Sequence, residues 1–397
     1  MKVDRSKKWY ILFLLLISVF VGYLARMSIS IALPFISREF SWSIEDQGAL
    51  GGILLGIFLL GYGVSNILFS KYIDIYGSKV VLTSSILLWS FSLLLGAAFP
   101  TYHMILLSRL LLGISQGVLF PVASKITSNW FSPDNRALAN SIYVSGGPWA
   151  VMFAPVILTP VIMTSSWRFS FVIIFLTGLI LVLPVVLFLT DTPRDIEKPS
   201  VKKKELDYMN ILGDSNFQVL MLGYTLMSSV WWGLTLWLPT YLVEAKGLEL
   251  SQISYGASLP YIGAIIGMYT GSYVSDKFGK RRELILLSLS TGGILILILT
   301  SSGLTGLYIV LILLVLVFFT GQMAPPIYFT ILQREVEPEK MGSATGLMNG
   351  IGNGLGIFGP LSVGMLLMMV GSYEFSFAIL GVMLIAGGVS LLFYDEP

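Results

Sequence analysis

The sequence contains no cysteine and a single histidine, His103. Without cysteine the chain can form no disulfide, no zinc–thiolate site and no thiol nucleophile, although this lack does not identify the redox compartment. One histidine excludes a multi-histidine metal site. We therefore expect neither a bound metal nor a cofactor.

Charged side chains are also scarce. They make up 12% of the 397 residues, against 55% hydrophobic residues, and the mean hydropathy is +0.83. A soluble domain carries about a quarter charged residues. Too few polar groups remain to cover a soluble globule, so the sequence predicts a protein whose solvent is largely lipid. The net charge of +2, without a basic stripe, argues against a nucleic-acid partner.

Long apolar segments follow one another along the whole chain. Twelve of them can cross about 30 Å of hydrocarbon as helices, and helices are expected because lipid offers no partner for an unpaired backbone group. The predicted spans are 9–33, 47–69, 79–99, 102–124, 137–162, 168–190, 216–243, 252–275, 282–301, 305–332, 341–369 and 374–394.

The distribution of basic residues predicts the orientation of these spans. Most of the 24 Lys and Arg residues fall on the side that holds the N-terminus, whereas Arg38, Arg168 and Lys246 fall on the other side. Because cytoplasmic loops are enriched in Lys and Arg, both termini are predicted to be cytoplasmic in a multi-pass protein of the cell membrane. The first apolar run lacks a small-residue cleavage site, so it is predicted to be a transmembrane helix rather than a signal peptide.

An internal repeat predicts that the chain has two halves. SKYIDIYGSK (70–79) follows the second span and GSYVSDKFGK (271–280) follows the eighth. Glycine tolerates the tight backbone of a very short turn, and an Asp at a helix end can dock on the positive N-terminus of a neighbouring helix. The matching residues are Asp74 and Asp276, Gly77 and Gly279, and Lys79 and Lys280.

The most polar stretch, 193–207, lies between the two copies and follows the sixth span. We interpret it as a cytoplasmic linker between an N-terminal six-helix bundle, 1–192, and a C-terminal six-helix bundle, 208–397.

At these motifs the sequence resembles the major facilitator superfamily. GSYVSDKFGKRR (271–282) is similar to its inner-loop signature, and the first-half copy departs from it at Ser70 and Ser78. SRLLLGISQG (108–117) is similar to its helix-4 signature, with Arg109 and Gly113 in place. The resemblance covers nearly the whole chain. It implies an all-α membrane protein with twelve transmembrane helices in two pseudo-symmetric bundles, which works by alternating access. The inner-loop motif then includes Gly271, Asp276, Gly279, Lys280 and Arg281.

Further segments resemble one branch, the anion:cation symporters, which includes sialin, the vesicular glutamate transporters and bacterial sugar-acid transporters. These segments are Tyr23-x-x-Arg26 with ALP (32–34), NWFSPDNRALAN (129–140), SWRFSF (166–171), LTDTP (189–193), LWLPTYL (236–242) and ATGLMNGIGNGLGIFGP (344–360). The resemblance implies that the substrate is a small organic anion.

Arg26 carries a charge in the middle of the first predicted span. It lies roughly 26 Å along the helix, where a charge facing lipid would be costly, so we expect it to face the bundle interior. Tyr23 and Ser30 share its helix face. Guanidinium matches carboxylate geometry, so Arg26 is the predicted anion anchor. The alternatives are that Arg26 snorkels to the outer surface or makes a fixed ion pair.

Acidic residues are missing from the interior of every predicted span. In the resembled branch an Asp commonly precedes the helix-1 arginine, and a Glu that takes the coupling proton lies seven residues after the helix-4 arginine. Here these positions are Ala25 and Gln116. Gln can hydrogen-bond the substrate or Arg26 but cannot carry a proton. The coupling therefore stays open between a uniporter or exchanger, a proton carried by the substrate's own carboxylate, and another cation or residue.

Other candidate substrate contacts come from the resemblance. Tyr62 falls where sugar-acid carriers place a substrate-facing residue, and Tyr224 falls where they place a Gln, while Asn349 and Asn353 share one face of the eleventh span. For the Asn pair, hydrogen bonding between helices is an equal alternative. The predicted site thus consists of Arg26, Tyr23, Tyr62, Gln116, Tyr224, Asn349 and Asn353, and Arg109 is expected to have a structural or coupling role instead.

The sequence therefore predicts a monomeric secondary transporter in the lipid bilayer that holds a small organic anion between its halves, with a proton or another cation as the potential co-substrate. The alternative is an exporter or exchanger of amphipathic drugs or neutral metabolites, which Trp231, Trp232, Tyr224 and Tyr328 would suit. A membrane enzyme fits worse because no Ser/His/Asp set, metal cluster or paired intramembrane carboxylate is available. A channel or receptor gives the repeated halves no evident purpose.

Overall fold

The computed structural model describes residues 5–69, 72–99, 101–131, 139–140, 142–192, 212–301, 306–335 and 341–395. Every regular element in these ranges is a helix, as expected where each segment must satisfy its own backbone hydrogen bonds. The long helices are α1 (Arg5–Glu39), α2 (Gly52–Phe69), α3 (Ser78–Ala98), α4 (Tyr102–Gln116, continued by Leu119–Trp130), α5 (Gly146–Thr164), α6 (Trp167–Phe188), α7 (Ser215–Glu244), α8 (Leu259–Phe278), α9 (Arg281–Leu299), α10 (Leu307–Glu335), α11 (Met341–Gly354, continued by Phe358–Val370) and α12 (Tyr373–Val389).

Within the described residues, 11 stretches are long and apolar enough to cross a membrane. They coincide with every long helix except α8, which has 20 residues but is not among these stretches. The predicted span 252–275 also began too early. Short helical turns occupy Leu250–Gln252 and Ile253–Gly256, and α8 begins at Leu259, with Pro260 in its first turn, where a missing N–H costs nothing.

The chain forms two compact units. The first contains Met1–Ala32 and Ile57–Lys203, and the second contains Leu33–Gly56 and Lys204–Pro397. The last part of α1 and the first part of α2 therefore pack with the C-terminal helices. The predicted linker, 193–207, lies outside the described residues, and the division of the chain at that linker stays a prediction.

In the first unit, α2 and α4 approach each other closely at glycines. A Cβ atom at Gly113 would overlap the carbonyl oxygen of Phe58, and one at Gly61 would lie 2.7 Å from the carbonyl oxygen of Leu110. Ser65 donates a hydrogen bond of 2.5 Å to the carbonyl oxygen of Ile114 across the same contact. Small residues allow such an approach in lipid, where packing drives helix association. The contact fixes Phe58 beside α4.

In the second unit, α8 packs through a row of glycines against α10. A Cβ atom at Gly263, Gly267 or Gly271 would overlap a backbone carbonyl oxygen of α10. The three glycines are spaced four residues apart and so share one helix face. Gly271, a residue of the predicted inner-loop motif, is therefore also a packing residue.

The two motif turns contain their glycines in the left-handed region that a very short connection requires. Gly77 precedes α3 with φ +86°, and Gly279 ends α8 with φ +70°. The α3 N-terminus is capped by Asp191, which accepts hydrogen bonds from the backbone N–H groups of Ser78 (2.7 Å) and Lys79 (2.9 Å). A carboxylate at this position interacts favourably with the helix dipole.

The capping Asp belongs to LTDTP (189–193), and the docking role expected of the Asp residues of the repeat stays a prediction. The side chains of Asp74 and Asp276 lie outside the described part of the structure, although both residues are helical. In the second motif, Lys280 is exposed at the N-cap of α9, and Arg281 is 8% exposed and donates a hydrogen bond of 3.4 Å to the carbonyl oxygen of Gly279.

The glycine row of α8 makes a testable prediction. Gly267→Ala should lower the thermal unfolding temperature of the detergent-purified protein, because the methyl group forces α8 away from α10 at a cost of about 1–3 kcal/mol. Gly321→Ala, on α10, is the matched control, since nothing lies within 4 Å of a Cβ atom there. Equal unfolding temperatures for the two variants would contradict the close contact.

Candidate functional site

Arg26 is enclosed by side chains of the first unit. It is 2% exposed, and its guanidinium carbon lies 4.2 Å from the ring centroid of Tyr23, 5.0 Å from that of Phe58 and 4.8 Å from that of Tyr62. Such cation–π contacts contribute about 0.5–2 kcal/mol each, more when they are desolvated. The side chain therefore lies inside the protein and does not snorkel to the outer surface.

Gln116 completes this group. Its Oε1 accepts a hydrogen bond of 2.6 Å from Arg26 Nε, and its Nε2 donates one of 3.0 Å to the carbonyl oxygen of Gly22. The amide is 0% exposed, and both of its ends are fixed by α1. We call Arg26, Tyr23, Phe58, Tyr62 and Gln116 the Arg26 cluster.

Arg109 lies beside the Arg26 cluster and binds the backbone of α1. Its Nη1 donates to the carbonyl oxygen of Ala25 (3.0 Å), and its Nη2 donates to that of Arg26 (2.9 Å). Arg109 is 1% exposed, and Gly113, one turn further along α4, allows the close contact with α2. This placement agrees with the structural role expected for Arg109.

The positive charge of these two arginines has no acidic partner in the described part of the chain. Neither arginine forms an ion pair there, and the acceptors of their hydrogen bonds are all uncharged. Arg26 Nη2 and Arg109 Nε are buried without a hydrogen-bond partner. A buried charge without a counter-ion is costly, so this cluster should attract an anion.

A second polar cluster joins α7 and α11 in the second unit. Asn353 Oδ1 accepts hydrogen bonds from Trp232 Nε1 (3.0 Å) and Ser228 Oγ (3.4 Å). Asn353 Nδ2 donates to Asn349 Oδ1 (2.6 Å), and the Tyr224 hydroxyl lies 3.5 Å from the same oxygen. We call these five residues the Asn353 cluster. The Asn pair thus makes the interhelical hydrogen bonds that the sequence analysis considered as an alternative to substrate contact.

Aromatic side chains surround Tyr224. Its ring meets those of Tyr328 and Phe329 edge-on, with centroids 5.7 Å apart in both pairs. The Tyr328 hydroxyl is buried without a hydrogen-bond partner. Trp237, one of three tryptophans on α7, is 0% exposed and donates a hydrogen bond to the carbonyl oxygen of Pro360, so it packs inside the unit and does not belong to an interfacial belt.

Sequence reasoning missed several of these residues. Phe58 and Ser228 are ordinary components of apolar spans, and nothing local marks them, whereas the sequence suggests Tyr328 only as part of a site for amphipathic compounds. Phe58 could have been proposed from its i, i+4 spacing to Tyr62, because the two rings stack with centroids 5.9 Å apart. Asp191 was visible within LTDTP, but its partners on α3 lie more than 110 residues earlier in the chain.

Many apolar helices, with polar clusters buried inside each of two units, define this molecule as a multi-pass membrane carrier. The chain belongs to the Major Facilitator Superfamily, whose sequence model matches residues 15–360. It is accordingly a transporter and not an enzyme, as the sequence predicted.

Similar proteins include a hexuronate transporter of Bacillus subtilis (strain 168), which is 27% identical over 99% of this chain and 96% of its own length. A probable sulfoacetate transporter of Cupriavidus necator, SauU, is 26% identical over 100% of this chain and 95% of its own length. Among solved structures, a D-xylose-proton symporter superimposes with a TM-score of 0.83 at 14% identity, covering 98% of both chains, and this likeness supports the fold alone.

The contribution of the hydrogen bond between Arg26 and Gln116 to stability can be tested by substituting Gln116. Gln116→Leu should lower the thermal stability of the ligand-free protein by about 1–3 kcal/mol, because it leaves Arg26 Nε buried and unpaired. Gln116→Glu should raise the stability, since it supplies a carboxylate of nearly the same shape to a guanidinium that lacks a counter-ion.

Gln322→Glu is the matched control for the second variant. Gln322 lies on α10 in the second unit and lines a small cavity with Trp231 and Phe318. The same substitution there adds a carboxylate, but no arginine among the described residues lines that cavity. If Gln116→Glu destabilises the protein as much as Gln322→Glu does, the charge of Arg26 is already compensated.

Proposed function

We propose that this protein is a secondary transporter of a small organic anion with a carboxylate group, and that Arg26 is its anchor. The observation that carries the proposal is a guanidinium that is 2% exposed, lacks a carboxylate partner among the described residues, and keeps Nη2 free as a hydrogen-bond donor. The names of the similar hexuronate and sulfoacetate transporters support the same substrate class.

The geometry of the Arg26 cluster favours a carboxylate over a neutral ligand. Gln116 occupies Nε, and the rings of Tyr23, Phe58 and Tyr62 orient the guanidinium plane, so its remaining donors are fixed in direction. Charge-assisted hydrogen bonds to a carboxylate are roughly twice as strong as neutral ones. A carboxylate would also supply the missing negative charge, which a neutral sugar or a lipophilic drug cannot do.

The second unit provides the remaining proposed contacts. Tyr224, Asn349 and Asn353 present a phenol and two amides along α7 and α11, and such groups suit the hydroxyl groups of a sugar acid. The buried, unpartnered hydroxyl of Tyr328 joins this set as a further candidate.

We extend the proposal to the organisation of the chain. If α8 also crosses the membrane, the number of spans is twelve. The protein would then have two six-helix halves joined by the linker 193–207 and both termini in the cytoplasm. Bound substrate would then be moved by alternating access of these halves, with the protein working as a monomer.

Ligand-induced stabilisation of the purified protein tests the anchor. Glucuronate, glucarate or sulfoacetate should raise the unfolding temperature of the wild-type protein, because a ligand that binds only the folded state stabilises it by mass action. Arg26→Lys should abolish the shift, since a lysine ammonium lacks the planar fork of donors. Arg168→Lys, the same exchange at the start of α6, should keep the shift.

The uncharged glucuronamide, which retains the hydroxyl groups of glucuronate, controls for sugar recognition and should give no shift. Stabilisation by neutral lipophilic compounds, with no response to any carboxylate, would overturn the proposal in favour of an exporter of amphipathic compounds.

A further inference from the structure

Without a bound anion, the Arg26 cluster would have an uncompensated positive charge. Arg26 and Arg109 are 2% and 1% exposed, and their acceptors are the amide oxygen of Gln116 and two backbone carbonyls of α1. Uncharged acceptors orient a guanidinium but do not neutralise it. A ligand-free protein therefore carries the cost of this uncompensated charge in every conformation that keeps the cluster buried.

Among the residues that the structure describes, no side chain beside Arg26 can neutralise the cluster by exchanging a proton. The groups that face Arg26 are Tyr23 from α1, Phe58 and Tyr62 from α2, and Gln116 and Arg109 from α4. None is a carboxylate or a histidine, the side chains that usually take a coupling proton inside a membrane protein. In the sequence, the acidic residues between positions 9 and 188 all lie outside the interiors of α1 to α6, and they are Glu39, Glu45, Asp46, Asp74 and Asp134.

A bound carboxylate would remove the cost of the uncompensated charge, because it neutralises the guanidinium of Arg26 while the protein changes conformation. The loaded protein should therefore complete its conformational step faster than the empty protein. This difference favours a cycle in which the site is occupied in both directions.

We propose that the protein is an anion exchanger, in which one carboxylate leaves Arg26 and the return step takes place with a second carboxylate bound. The counter-substrate is a small carboxylate on the opposite side of the membrane, and no proton is required. The inference rests on the proposed function and adds its coupling mode.

Transport into proteoliposomes tests the exchange. The probe is whichever of glucuronate, glucarate and sulfoacetate gives the largest shift in unfolding temperature, used in radiolabelled form. Uptake should be about tenfold faster or more when the vesicles contain the same unlabelled carboxylate than when they contain glucuronamide. An inward proton gradient should change the uptake rate by less than about twofold, because no side chain of the Arg26 cluster takes up a proton.

Uphill uptake into carboxylate-free vesicles, driven by the proton gradient, would overturn the exchange mechanism and leave the anion transporter standing. Rapid downhill uptake at a rate that does not depend on the internal anion would also overturn the exchange mechanism. If none of the three carboxylates shifts the unfolding temperature, the proposed function itself fails, and the two failures are thereby distinguished.

A variant with an acidic residue in the Arg26 cluster tests the exchange independently, through the pH dependence of its uptake. Gln116→Glu should allow uptake without an internal carboxylate and make that uptake pH-dependent, because its own carboxylate can neutralise Arg26 on the return step. Gln322→Glu should keep the wild-type requirement for an internal anion. If both variants require an internal carboxylate, the lack of an acidic residue at position 116 does not set the coupling, and the exchange mechanism is contradicted.

Discussion

A positive charge buried without a counter-ion is the constraint on which the first unit depends. Three aromatic rings and one amide surround the guanidinium of Arg26, and each compensates part of its lost hydration without neutralising it. These groups come from α1, α2 and α4, so the three helices must meet around the guanidinium of Arg26. Gly113 and Gly61 make the meeting possible, because a side chain at either position would separate α2 from α4.

Arg109 shows that the two arginines of the first unit have different tasks. Its terminal nitrogens donate to backbone carbonyls of α1, including that of Arg26 itself, so it holds the helix segment that carries Arg26. It also adds a second positive charge nearby, which strengthens the attraction for an anion. Under the proposed function, the sequence motif around Arg109 would act on the substrate through Arg26, by position and by charge.

Hydropathy predicted the helices, and the cost of charge in lipid predicted the buried position of Arg26, because both depend on local sequence. The contacts that complete the clusters depend on packing between distant segments. Phe58 and Tyr328 look like any other aromatic residue of a span, and the pairing of Trp232 with Asn353 joins residues 121 positions apart. The cap of α3 by Asp191 likewise joins distant segments, because the turn at Gly77 brings α3 to the end of α6, while the docking role expected of Asp74 and Asp276 stays a prediction.

Gln116 separates two properties that a single glutamate would combine. A carboxylate at this position would orient Arg26 and also neutralise it, and it could then exchange protons with the solvent. The amide orients Arg26 equally well, because its oxygen accepts from Nε and its nitrogen is held by the carbonyl oxygen of Gly22. The residues that the structure describes supply no negative charge to Arg26, and in the proposed function the transported anion supplies it. In this proposal the substrate neutralises Arg26, as an acidic side chain would otherwise do. Occupancy of the site and conformational change of the protein are therefore expected to be linked.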